Sequence, residues 1–226
     1  MKHSRLLLTL LIILLPALAG AQERSISPGV NRAYENPEYA RWQVAFETEG
    51  REIFEQRHAI VDALAIKPGM VIADVGAGTG VLSLLFAQKV GAGGTAIAQD
   101  IVPEFLRGIE DRARKAGLSQ VRTLLGGEKD ARLLAGSVDL IFTSDTYHHF
   151  EYPQAMLASL RSALKPGGRL IVIDYEKIPG RSSSWVMSHV RANRETVIAE
   201  ITAAGFHLDR THDFLQDNYF LEFRKP

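Results

Sequence analysis

The sequence predicts an α/β fold, a doubly wound, mostly parallel sheet of seven strands closed by a C-terminal antiparallel hairpin. Two observations predict it. Short apolar runs alternate with helix-like amphipathic segments five times between residues 70 and 204, and that alternation calls for parallel strands with helices on both faces. The last two apolar runs, residues 206–210 and 219–224, have no helical segment between them. They can only return on each other as an antiparallel pair.

In order, the chain begins with a short positive stretch (Lys2, Arg5), an apolar run over residues 6–15 and small residues at Ala19-Gly20-Ala21. These are the three regions of a secretory signal peptide over residues 1–21. The expected cut follows Ala21, with Ala19 as the second choice, and the expected destination lies beyond the inner membrane, in the periplasm. The apolar run is short for a membrane span of ~20 residues, so no stable span is expected after cleavage. Residues 22–37 carry Pro28-Gly29 and Asn36-Pro37 and read as a linker or loosely held arm. The domain proper is expected over residues 38–226, with a helical lid at 38–66. The lid consists of one helix through Tyr39, Trp42, Val44 and Phe46 and a second over residues 51–66, striped by Ile53, Phe54, Ile60, Val61 and Leu64. Lys67-Pro68-Gly69 ends it.

Strands are then expected at residues 70–75, 95–99, 121–125, 138–143 and 169–174. Helices are expected over 81–90, 103–116 (opened by Pro103 and stopped by Gly117), 153–164 and 196–204. Lys165-Pro166-Gly167-Gly168 reads as a turn, and residues 175–184 as irregular.

Composition narrows the function. The 226 residues carry 26 Lys plus Arg against 26 Asp plus Glu, so neither a nucleic acid nor another polyanion is an expected partner. Arg107, Arg112, Arg114 and Lys115 are interspersed with Glu104, Glu110 and Asp111, the pattern of a solvated helix face. The chain has no cysteine, which excludes disulfides and leaves the fold to its core.

In an open parallel sheet, ligands bind beyond the carboxyl ends of the strands. The first strand ends in Asp74 and the elbow Gly76-Ala77-Gly78-Thr79-Gly80, whose glycines allow a sharp turn and a close backbone approach. The second ends in Asp100, whose carboxylate suits a ribose diol. The third leads to Glu128 and Asp130, the fourth to Asp145-Thr146-Tyr147-His148-His149 and the fifth to Asp174-Tyr175.

On these residues, with Ala98-Gln99-Asp100, Val138-Asp139-Leu140-Ile141 and Leu164-Lys165-Pro166-Gly167-Gly168-Arg169-Leu170, the chain resembles the class I S-adenosylmethionine-dependent methyltransferases of the small-molecule type, with their Rossmann-like sheet. The resemblance covers roughly residues 53–225 and implies a cofactor, S-adenosyl-L-methionine, and a small-molecule acceptor. It implies that Gly76, Ala77, Gly78 and Gly80 border the cofactor's methionine part, supported by Asp74. Asp100 would hold the ribose hydroxyls and Ile101 would pack on the adenine. Either Glu128 or Asp130 would meet the adenine amino group, with Asp130 preferred. Asp145 would face the cofactor's amino-acid end or the acceptor. His148 or His149 can serve as a base, since histidine titrates near neutral pH. The competing reading packs one of them structurally and lets the other line the pocket. Tyr147 either orients an acceptor or caps the pocket.

His189 and Arg191 lie where this fold often binds its acceptor, though surface or structural roles weigh more. Trp42 and Phe46 either cover the cofactor or cap the core, and Asn218-Tyr219 reads as structural. No metal ligand set is read from the sequence. A nicotinamide dehydrogenase would space its glycines G-x-G-x-x-G, whereas here the third is Gly80 and Val81 follows. Export away from the cytoplasmic cofactor pool raises a second alternative, a non-catalytic module of the same fold that binds a nucleoside-like ligand or a protein partner. The chemically intact cofactor positions favour the enzyme.

Overall fold

A computed structural model describes residues 24–226; the expected signal peptide lies outside the described residues. Seven strands run in the order β3-β2-β1-β4-β5-β7-β6. They are β1 (Val71–Val75), β2 (Thr95–Asp100), β3 (Val121–Leu125), β4 (Val138–Ser144), β5 (Leu164–Tyr175), β6 (His207–His212) and β7 (Asn218–Arg224). The first five are parallel, and β7 pairs antiparallel with both β5 and β6. The closing hairpin is therefore present as expected.

Strand periodicity divides the apolar residues between two faces. Ile72, Leu140, Phe142 and Ile171 turn to the face covered by α4 (Val81–Val90), α5 (Pro103–Lys115) and α3 (Arg57–Ala63), where Phe86 meets Phe142 edge-on at 5.1 Å. Ala73, Ile141, Leu170 and Val172 turn to the opposite face, under α6 (Pro153–Ala163) and α8 (Arg194–Ala203). Among the described residues no helix is long and apolar enough to cross a membrane.

Four local expectations change. The lid's second helix is split into α2 (Glu52–Glu55) and α3 at Gln56, where the Arg57 guanidinium donates to the Phe54 carbonyl at 2.5 Å and competes for a helix acceptor. Strand β5 begins at Leu164, because Leu164 pairs with Val138 across a register shift that takes in the Lys-Pro-Gly-Gly segment. The irregular stretch after β5 leads to a short helix, α7 (Ser184–His189), whose N-cap Ser183 accepts a hydrogen bond from the Val186 amide. Residues 24–37 are docked rather than loose. The Ile26 amide donates to the Glu151 carbonyl at 3.0 Å, and Tyr34 packs on Trp42 of α1 (Tyr39–Phe46) at 4.7 Å.

Candidate active site

Strands β2, β1, β4 and β5 stand side by side, and at their carboxyl ends lie Asp100, Asp74, Asp145 and Asp174. Above them opens a cleft of about 450 Å³, a size typical of small-molecule sites.

The elbow after β1 forms its floor. Gly76, Gly78 and Gly80 have φ of +75°, +55° and +82°, a region that side chains avoid. A Cβ on Gly76 would lie 2.2 Å from the Thr146 side chain, and one on Gly78 would lie 3.2 Å from the Phe46 ring. Gly76, Ala77 and Gly78 line the cleft. Gly80, expected to border the cofactor, has a different place: a Cβ there would lie 2.6 Å from Ile109, so this glycine admits α5 against the start of α4.

Asp100 is 6% exposed, and its carboxylate accepts hydrogen bonds from the Gly78 and Val102 amides, both at 2.9 Å. Burial nevertheless raises its pKa to about 6. Each oxygen keeps a lone pair for a further donor. Asp74 accepts from the Ser83 hydroxyl at 2.6 Å, and burial raises its pKa to about 7. Ile101 and Phe105 line the adjoining wall together with Gly127 and Glu128. Of the two acidic candidates, Glu128 lines the cleft and the preferred Asp130 does not. The Asp130 carboxylate lies off the cleft and accepts from the Ser159 hydroxyl and the Arg132 amide, both at 2.7 Å.

Aromatic rings roof the cleft: Trp42 lies 5.1 Å from Phe46, and Phe105 6.1 Å from Tyr34. The roof is tied to the floor. Glu47 forms an ion pair with Arg112 and accepts from the Thr79 hydroxyl at 2.8 Å. The Tyr39 hydroxyl and Arg112 each donate to the Thr79 carbonyl at 2.9 Å.

At the other end, Asp145 has a φ of +47°. Its carboxylate pairs with Arg51 and accepts from the Asn218 amide at 2.7 Å, so Asn218 supports the site as well as the hairpin. Tyr147, expected to orient an acceptor or cap the pocket, points away into the core below, 1% exposed, with its hydroxyl donating to Glu200 at 2.7 Å. Arg191 is held there too, paired with Glu200. His148 does line the cleft. It is 3% exposed, its ring Nδ1 and its amide meeting Asp174 at 2.7 and 2.9 Å. Burial works against charge on this ring, but the Asp174 carboxylate outweighs it and raises the pKa. His149 lies beside it, with a pKa driven down to about 3 by burial and by His148. His189 also lines this end, stacked on Trp185 at 4.7 Å.

The sequence reading missed Arg51, Asn31, Tyr34 and Phe105. No local signal marks residues that reach the site from an arm or a helix far off in sequence. Ser183 before α7 is a capping residue that could have been read.

The family profile described as a methyltransferase domain matches residues 66–218. The chain belongs to this methyltransferase family. The cofactor that goes with the family is S-adenosyl-L-methionine. The chain is 31% identical over 126 residues to nocamycin O-methyltransferase of Saccharothrix syringae, covering 55% of this chain and 45% of that protein. It is 34% identical over 121 residues to the ubiquinone/menaquinone biosynthesis C-methyltransferase UbiE of Methylococcus capsulatus, covering 52% and 48%. This chain thus spans about half the length of the curated relatives it matches. The crystal structure of a SAM-dependent methyltransferase from Aquifex aeolicus superposes with a TM-score of 0.74 at 22% identity, over 84% of this chain and 100% of that one. That likeness is one of fold. The residues present fit the cofactor: an elbow where a Cβ would fill the floor, a buried carboxylate beside it and an acidic cleft suited to a sulfonium cation.

Asp74 titrates at about 7 in the fold against a reference value of 3.8. Between those values the native state binds the extra proton, so this group's contribution to stability falls as pH rises. Asp74→Asn is expected to shrink the stability lost between pH 5 and pH 8, measured by urea unfolding. An equal loss in the variant would contradict the assignment.

Proposed function

We propose that this protein transfers the methyl group of S-adenosylmethionine to a small-molecule acceptor. The observation that carries this reading is the pairing of the glycine elbow after β1 with the buried Asp100 at the end of β2. The bound cofactor supplies a methyl already activated on a sulfonium, which moves to the acceptor as the carbon–sulfur bond breaks and sulfur keeps the electron pair.

The chain's residues then have to bind, align and exclude water. Asp100 accepts from the ribose hydroxyls with the lone pairs left free by Gly78 and Val102. Ile101 and Phe105 pack on the adenine, and Glu128 stands within the same wall to accept from its amino group. Gly76, Ala77 and Gly78 let the amino-acid end approach the backbone. Asp145, fixed by Arg51 and Asn218, faces the junction of cofactor and acceptor. The Tyr34, Trp42, Phe46 and Phe105 roof keeps water from the cofactor.

The acceptor occupies the end lined by Tyr175, Trp185 and the histidines. An acceptor that enters with a proton on the reacting atom releases it to water at this end. Equal numbers of basic and acidic residues favour a small molecule over a nucleic acid.

Loss of the Asp100 carboxylate removes charge-assisted bonds worth about 1.5–3 kcal/mol. Asp100→Ala is therefore expected to weaken S-adenosylmethionine binding about 10- to 150-fold. Trp42 fluorescence provides the titration signal, and Asp100→Asn, which keeps an acceptor for the turn amides, controls for folding. An unchanged dissociation constant would contradict the ribose assignment.

The export reading rests on the basic start, the apolar run over residues 6–15 and Ala19-Gly20-Ala21. Alkaline phosphatase fused after Pro226 requires an oxidising compartment, so the fusion is expected to be active in cells. A stable but inactive fusion would contradict export.

A further inference from the structure

Three histidines meet at the acceptor end of the cleft. One ring nitrogen from each of His148, His149 and His189 lies within 4.8 Å of those of the other two. The rings are 4.2 to 5.2 Å apart and inclined at 43°, 77° and 60° to one another, so no two stack face to face.

Hydrogen bonds fix which nitrogens carry lone pairs. Asn31 donates from its amide nitrogen to the His149 carbonyl at 3.1 Å, which turns its oxygen toward the His149 ring. That oxygen lies 3.1 Å from Nδ1, so Nδ1 carries the proton and Nε2 is left bare. Asp174 does the same for His148, accepting from Nδ1 at 2.7 Å. The His148 Nε2 is buried and has no hydrogen-bond partner. A histidine whose Nδ1–H is tied to a carboxylate or an amide oxygen, leaving Nε2 bare, is the usual form of a metal ligand.

Asp174 is 1% exposed and pairs with the Nδ1 side of His148. The buried, unpartnered Nε2 on the other side of the ring offers a lone pair that a metal ion would use.

We propose that His148, His149 and His189 bind a divalent transition-metal cation of the zinc type, with one coordination position open to the cleft. Three imidazoles with an open fourth position suit such ions, and a soft thiolate set is absent from a chain with no cysteine. Metal–nitrogen bonds of about 2.0–2.1 Å in a tetrahedral set put the nitrogens roughly 3.4 Å apart, so the widest pair has to close by at most about 1.5 Å from its present spacing. His189, partly exposed on the short helix α7, is the ligand with room to move. The site does not depend on the methyl-transfer reading, since the ligands come from β4's end and α7 and not from the glycine elbow.

The test is a titration of the purified, tag-free, chelator-stripped full-length chain with Co²⁺, followed by Zn²⁺. One equivalent of Co²⁺ is expected to give the visible absorption of a four-coordinate site, and one equivalent of Zn²⁺ to bleach it. His189→Ala is expected to abolish the band. Asn31→Ala, which alters only a residue supporting a ligand, is expected to weaken Co²⁺ binding about 10- to 100-fold. Far-UV circular dichroism verifies each variant's fold, and either variant alone suffices. No visible band, or a band that both substitutions leave unchanged, would overturn the proposal. Binding of S-adenosylmethionine measured on the same sample separates the two readings: a chain that binds it but gives no band loses the metal site alone.

Discussion

The upper end of this sheet is governed by the burial of carboxylates. Asp74, Asp100 and Asp174 are each 6% exposed or less, and Asp145 lies among them at the end of β4. Unpaired, such groups are costly to bury, and each has drawn a different compensation. Asp100 is held by two turn amides, Asp74 by the Ser83 hydroxyl, Asp145 by Arg51 and Asn218, and Asp174 by His148 and two backbone amides. Burial still leaves Asp74 and Asp100 with raised pKa values. A cationic ligand in this cleft relieves a cost that the protein itself leaves only partly offset.

The same compensations build the site's shape. The Gly78 amide that caps Asp100 fixes the elbow, and the Phe46 ring then rests over Gly78, where a Cβ would press on it at 3.2 Å in a backbone conformation that side chains avoid. Arg51 reaches Asp145 from the N-cap of α2, so neutralising this charge also positions the helices that follow. Glu47, Arg112 and Thr79 join lid, elbow and α5 in one network. Because the ion pair of Glu47 and Arg112 is largely shielded from water, removal of either partner strands the other.

The sequence carried the fold well, since strands buried on both faces read as apolar runs and the helices between the parallel strands, α4, α5 and α6, stop at glycine or proline signals. It also placed Asp74, Gly76, Ala77, Gly78, Asp100, Ile101, Asp145, His148 and His149 at strand ends, which is where the structure puts them. It was silent where the information is tertiary. Tyr147 and His148 are neighbours in the chain, but the 3₁₀ turn that holds them sends one ring into the core and the other into the cleft. Glu128 and Asp130 are indistinguishable by composition, and only the reach of Ser159 decides between them. Asn31 sits in a segment with every mark of a loose arm, and nothing local reveals that it seats against His149.

The central claim is that this acidic, glycine-floored cleft takes a sulfonium nucleoside. Isothermal calorimetry of the purified protein with S-adenosylmethionine at neutral pH tests it most directly. The account predicts saturable binding of one equivalent. The absence of heat at millimolar ligand, with the fold intact, would contradict it.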